Sequence, residues 1–334
     1  LFEPIVSSKK LGAEFNKVLK SQQHTSTRRL MQDAFERFGD VDGNFVEQFQ
    51  TTGFSARVWE LYLHECLRAL GYAVHRPKGG VDFLVRSIWG RFAVEAVTAN
   101  PSGKAPAQDK PAIEQDERWE IFAIRIGSAL TSKLKKRYWE QPDCKGMPLV
   151  FALQAFFDGE SLGFSGAAVE RYLYGQDGVP GKLTAEGYLP VFTPVAEHRA
   201  GSKAIPSGFF KLPDAEHVSA VLFSNSGTLA KFSRLAVQEE PSEAWRLIRT
   251  GLCFDPDPAA LSPMRFEYEV GDGAFTERWE HGLHVLHNPN AIHPLPLFED
   301  HNVNEMFVDR GARKEHVPDF SVYRSKTTWV PRKG

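Results

Sequence analysis

Two carboxylates set inside apolar strands constrain this chain more than any other feature. In GGVDFLVRS, Val81, Phe83 and Val85 alternate with Asp82, Leu84 and Arg86, a period of two that predicts a strand from Gly80 to Ser87. Trp89-Gly90 fits a turn. A second strand, Arg91 to Thr98, puts Phe92, Val94, Ala96 and Thr98 on one face and Ala93, Glu95 and Val97 on the other. A buried carboxylate without a partner costs several kcal/mol, so a compensating charge is expected for Asp82 and for Glu95. They are thirteen residues apart with the turn near the midpoint, a register that lets both side chains stand together in an antiparallel hairpin. Two like charges so placed repel unless a cation joins them.

The preceding segment predicts a helix from Ser55 to Leu70. Val58, Leu61, Tyr62, Cys66, Leu67 and Leu70 recur at helical spacing, and Gly71 supplies the stop. Glu60 on this helix is a candidate third ligand. Three hard oxygen donors suit Mg²⁺ or Mn²⁺ rather than zinc.

This helix–strand–turn–strand arrangement resembles the core of the PD-(D/E)xK nuclease superfamily, over roughly residues 54 to 160. The resemblance implies an α/β fold with a restriction-endonuclease-like core, a mixed sheet flanked by helices, followed by an additional α+β C-terminal lobe. Asp82 corresponds to the family's first-strand aspartate and Glu95 to its second-strand acid. Glu60 matches the helix glutamate of branches that resemble Holliday-junction resolvases. The implied activity is metal-dependent hydrolysis of DNA phosphodiester bonds, in restriction, repair or defence. Asp82 and Glu95 would hold Mg²⁺ (or Mn²⁺), helped by Glu60 and a backbone carbonyl near Ala96. The chain departs from the pattern at one point: the family's lysine follows the second acid by two residues, and that position is Val97. Some branches supply the lysine from a neighbouring helix. Lys133 or Lys135, in IGSALTSKLKKRYWE, would serve, with Lys133 as the choice, giving Asp82, Glu95 and Lys133 as the catalytic set. The alternative is a catalytically inactive nuclease-fold module that binds nucleic acid or a protein partner. A third reading is an assembly protein whose acids form surface pairs.

A chain of 334 residues with 42% hydrophobic and 25% charged residues is globular, and long enough for two domains. The expected division is an N-terminal helical arm (1–50), the nuclease-like core (51–160) and the C-terminal lobe (161–334). A net charge of −2 does not advertise a nucleic-acid binder, but local patches outweigh the sum, and DNA is the expected partner. A homodimer, or a partner protein of a defence system, is the further expectation. Cys66, Cys144 and Cys253 form neither zinc spacing nor a disulfide framework, which suits a cytoplasmic location. No apolar run approaches a membrane span, and no signal peptide is visible. The chain opens on Leu1 rather than Met, so an incomplete N-terminus is expected.

In the arm, SKKLGAEFNKVLKS and TRRLMQDAFERFGD are amphipathic, and Lys9, Lys10, Lys17, Lys20, Arg28 and Arg29 are basic residues that could touch a phosphate backbone or form a solvated face. DVDGN lacks the spacing of a calcium loop and reads as a turn. Pro101 to Glu117 reads as an exposed loop, and residues 118–140 as one long helix ending in the cluster Lys133, Lys135, Lys136 and Arg137. Met147 to Asp158 reads as a central strand, with Gln154 as its polar interior residue. A helix near Gly166 to Tyr174 falls in a Gly- and Pro-rich seam. HVSAVLFSNSGTLAKFSRLA reads as a buried strand, a turn and a further strand or short helix. SNSGT lacks the Walker ending, and no nucleotide site is inferred. Strands are expected at 264–270 and 282–289. His281, His284, His287 and His293 have tempting spacing, but Gly282, Asn288 and Pro289 oppose a helix there, and zinc is not expected. The tail from Asp309 is expected to be partly mobile.

Overall fold

The computed structural model describes residues 1–88, 90–100, 115–157, 163, 166–184, 187–257, 259–260, 262–298, 300–310 and 312–332. Amphipathic periodicity builds the first layer. Helices α1 (Ala13–Lys20), α2 (Thr25–Phe38), α3 (Phe45–Gln50) and α4 (Phe54–Ala69) turn Phe15, Val18, Met31, Phe38, Phe45, Phe49, Trp59 and Leu63 into one core. The expected N-terminal arm is therefore integral to the fold: its apolar stripes are buried, and its basic residues lie on the outer side of the same helices. Gly71 ends α4 with φ 83°, a conformation that costs a glycine nothing.

Strands β1 (Ala73–His75), β2 (Phe83–Ser87) and β3 (Gly90–Ala99) follow, then α5 (Gln115–Leu134) and β4 (Leu149–Ala155). The expected turn at Trp89 and the loop at 101–114 lie outside the described residues, while residues 115–117 belong to α5. That helix also stops six residues earlier than expected. Arg137 adopts φ 49°, and a short 3-10 turn, Tyr138–Glu140, replaces the last stretch. Every residue of β4 is buried, as befits a strand covered on both faces.

The chain continues through α6 (Gly166–Tyr174), the hairpins β5 (Gln176–Thr184)/β6 (Gly187–Pro194) and β7 (Glu197–Ala200)/β8 (Lys203–Pro206), then β9 (Ala220–Ser224) and α7 (Leu229–Glu239). It closes with β10 (Trp245–Cys253), β11 (Met264–Glu269), β12 (Leu283–His287), β13 (Asn304–Asp309), β14 (Ala312–His316) and β15 (Val322–Pro331).

One eight-stranded mixed sheet runs in the order β1-β2-β3-β4-β9-β12-β13-β14. The central β3, β4 and β9 are parallel, and β2 and β12 flank them antiparallel. α1–α4 cover one face, and α5 and α6 cover the other. The protein is thus mixed α/β, with a large mixed sheet flanked by helices. The division expected at residue 160 does not divide the sheet: β9, β12, β13 and β14 extend the sheet that β1–β4 begin. Buried apolar strands such as AVLFS pair most favourably with other buried strands, and β4 had an open edge for β9. The C-terminal tail also departs from expectation. β15 is antiparallel to β10 over most of its length, in a three-stranded sheet ordered β11-β10-β15. Among the described residues, no helix is long and apolar enough to cross a membrane.

Candidate functional site

β2 and β3 pair antiparallel, with Phe83 opposite Val94. One step further in this register Asp82 stands opposite Glu95, and there the strands part. The Asp82 carboxylate replaces the missing strand: its Oδ2 accepts a hydrogen bond from the Ala96 backbone N–H at 2.7 Å.

Glu95 is 3% exposed and lies on the sheet face covered by α5. Lys133, in the last turn of that helix, places its Nζ on Glu95 Oε1. The Tyr138 hydroxyl donates to the same oxygen. Glu95 Oε2 is buried and has no hydrogen-bond partner among the described residues.

Glu60 comes from α4, on the other side of the sheet. Its Oε2 pairs with Arg57 Nη1 at 2.5 Å, one turn back on the same helix. Burial raises the Glu60 pKa, opposed by the charges of Arg57, Arg76 and Lys133. Burial, reinforced by the charges of Glu95 and Glu60, holds Asp82 well above the usual carboxylate range, with the Ala96 N–H and Lys133 countering. These influences tie Glu60, Asp82, Glu95 and Lys133 into one electrostatic unit, reached from both helical layers where β2 leaves β3. Arg76 adds a further cation beside Glu60 and Asp82; its guanidinium lies 3.6 Å from the Phe38 ring centre.

Val97 faces the same side as Glu95 and is 1% exposed, packed in the core under α5. Lys135 and Lys136 are exposed. Arg137 pairs with Glu140 at 2.7 Å and Asp214 at 3.5 Å. Of the basic cluster, Lys133 alone is placed on the acids. Gln154, on β4, accepts the Gly227 backbone N–H at 3.1 Å, so it serves a backbone group.

The donor chemistry at Asp82 and Glu95 fits a hard divalent cation: two crowded carboxylates, one with a buried oxygen lacking a partner. Glu60 is held back by Arg57. Among the described residues, the group whose ligand atoms all lie within 4.8 Å of one another is instead Asp214, Glu216 and His217, partly buried at a separate place. Arg137 already neighbours Asp214 there, and the His217 ring stacks on Trp139 at 4.4 Å.

The histidines are occupied individually. His281 Nε2 lies 3.0 Å from Asn302 Oδ1, His287 Nε2 lies 2.7 Å from Glu305 Oε1, and the backbone carbonyl of His293 accepts from Ser219. Burial lowers His284 to about 4, which keeps it neutral.

Sequence reasoning did not single out Tyr138, Arg57 or Arg76. On an unbroken helix Tyr138 would point well away from Lys133, about 100° further round for each residue; the left-handed Arg137 brings the two together. The Arg57–Glu60 spacing was a readable signal, because i,i+3 charges meet on a helix. Comparison with protein-family models, curated proteins and solved structures finds no match for this chain.

Proposed function

We propose that this protein is a metal-dependent nuclease with a restriction-endonuclease-like core, acting on DNA phosphodiester bonds. The observation that supports this most is Lys133. Its ammonium is delivered from α5 to Glu95, at the level where Asp82 and Glu95 face each other. A cation on a neighbouring helix thus takes up the role that Val97 cannot fill.

In this reading Asp82 and Glu95 hold Mg²⁺ or Mn²⁺. Such an ion, when bound, polarises the phosphate and lowers the pKa of its water. Lys133 stabilises the negative charge that develops on the phosphate. Tyr138 fixes the Glu95 carboxylate and leaves Oε2 available. Glu60 adds negative charge near Asp82 while Arg57 holds it in place. Asp82 retains its proton more readily than an ordinary carboxyl, so cation binding displaces a proton and strengthens as pH rises. Restriction, repair or defence against foreign DNA, in the cytoplasm, is the setting this reading implies.

One observation favours a silent centre instead. Lys133 and Tyr138 together already satisfy Glu95 Oε1, as in a fold that keeps the constellation for stability and binds nucleic acid or a protein without cutting. A cleavage assay with Mg²⁺ and Mn²⁺ on single-stranded, duplex and branched DNA, and on RNA, decides between them. Cutting that disappears in Asp82→Asn supports the nuclease. DNA binding without cutting under either metal supports the silent module.

A further inference from the structure

A second cluster of buried charge lies away from this site. Around Glu277 gather Lys231 at 2.9 Å, Arg234 at 2.6 Å and Arg249 at 3.4 Å, all buried. The neighbouring acid Glu280 is paired with Arg278. Arg278 is exposed, so the buried groups are three cations, Lys231, Arg234 and Arg249, against the two acids Glu277 and Glu280, an excess of one positive charge. Burial, with the Arg234 charge acting the same way, brings Lys231 down to about 8. Burial would raise Glu277, but Arg234, Lys231 and Arg249 hold it well below the carboxylate range. Surplus buried charge calls for a counter-charge.

Arg234 and Arg249 also line a cavity of about 190 Å³ beside β15. Among the described residues, no Asp or Glu lines it. Five hydroxyl-bearing residues do: Ser226, Thr228, Tyr323, Ser325 and Thr327. Three of these accept hydrogen bonds, Thr327 from Arg234, Ser325 from Arg249, and Thr228 from the Lys231 backbone N–H. Their own hydrogens are left to donate. Thr228 caps α7, so the positive end of that helix dipole lies at the same wall.

We propose that this cavity binds a small tetrahedral oxyanion of the phosphate class, held by Arg249 and the hydroxyls of β15 and the α7 cap. The surplus cation supplies the charge, the hydroxyl hydrogens supply direction, and the absence of lining acids removes repulsion. The volume lies below the ~300–1,000 Å³ of pockets for drug-sized ligands, which suits one phosphoryl group, either free phosphate or the terminal phosphate of a nucleic-acid strand. The proposal does not depend on the nuclease reading.

Calorimetry and thermal melts with inorganic phosphate, against potassium chloride at matched ionic strength and without divalent metal, test it. Phosphate is expected to bind and to raise Tm. Ser325→Ala, at an exposed residue whose hydroxyl faces Arg249, is expected to weaken phosphate binding about threefold to tenfold, as loss of one hydrogen bond does. Arg249→Gln should weaken it further, whereas Asp82→Asn should leave it unchanged. Competition by a 5′-phosphorylated oligonucleotide, but not by its dephosphorylated form, identifies a strand end as the source; competition by neither identifies free phosphate. The proposal is overturned if phosphate does no more than chloride, if Arg249→Gln binds it as wild type does, or if Asp82→Asn abolishes binding.

Discussion

Asp82 stands one step beyond the Phe83–Val94 pair, the last rung of the β2–β3 hairpin, where the continued register sets it opposite Glu95. The two are unequal partners. Glu95 is neutralised by Lys133 and steadied by Tyr138, whereas Asp82 has one backbone N–H and the repulsion of two acids.

That inequality predicts a pH signature. The folded pKa of Asp82 lies above its unfolded value of about 4. Between those two values the unfolded chain is ionised while the folded site keeps its proton, so stability falls as pH rises through that window. Asp82→Asn removes this loss and keeps an oxygen for the Ala96 N–H. Metal-free thermal melts should show the variant more stable than wild type at neutral pH, with the difference vanishing below pH about 4. A variant less stable than wild type at pH 7 would sink the idea.

The same charge balance governs metal affinity. Asp82→Ala and Glu95→Ala should each weaken Mn²⁺ binding, and wild-type affinity should climb with pH until Asp82 is fully ionised. Titration calorimetry at several pH values reads both effects. Unchanged affinity in the two variants, or a flat pH dependence, would place the ion elsewhere, with Asp214, Glu216 and His217 the first group to examine.

Much of this arrangement was legible in the sequence, because the hairpin is local. Period-two patterning marked both strands and their register, although β2 opens at Phe83 and leaves Asp82 just before it rather than inside the strand expected from Gly80. α4 was legible through its apolar stripe, and α6 falls at Gly166–Tyr174 as read. The joining of β9 and β12 to the sheet was not legible. Both read as strands, the first of them buried, but which edge a strand pairs with depends on partners far away in sequence. Nor could pattern alone reveal Tyr138, whose position rests on a single left-handed residue, Arg137. The tail misled for a related reason: VYRSKTTWVP is polar enough to read as solvated, yet β10 offers it a partner strand.

Glu277 offers a stability test remote from the chemistry. It pairs with all three buried cations, Lys231, Arg234 and Arg249. Glu277→Gln should destabilise the fold by about 3–5 kcal/mol, the usual cost of stranding a buried charge. Urea denaturation measures it. Adding Arg249→Met to that variant should recover part of the loss, because one of the stranded charges goes with it; an additive further loss would show that the cations are not coupled.

The decisive prediction concerns the lysine. If Lys133 stabilises the transition state, Lys133→Ala should lower the cleavage rate by about 10²–10³, the usual cost of one charge-stabilising donor, with DNA affinity changed far less. Restoring the family's own position should not rescue it. Val97 is 1% exposed in the core beneath α5, and a lysine there must bury its stem among Val81, Leu130 and Leu153 before its ammonium reaches Glu95. Val97→Lys in the Lys133→Ala background should therefore lose stability through overpacking, typically about 1–3 kcal/mol, without regaining the rate. Denaturation and single-turnover cleavage on the same preparations separate the two effects. Recovery of the wild-type rate in the double variant would mean that the site tolerates the family geometry and that the α5 route is not required. Wild-type cleavage in Lys133→Ala alone would mean that this ammonium serves only to neutralise Glu95.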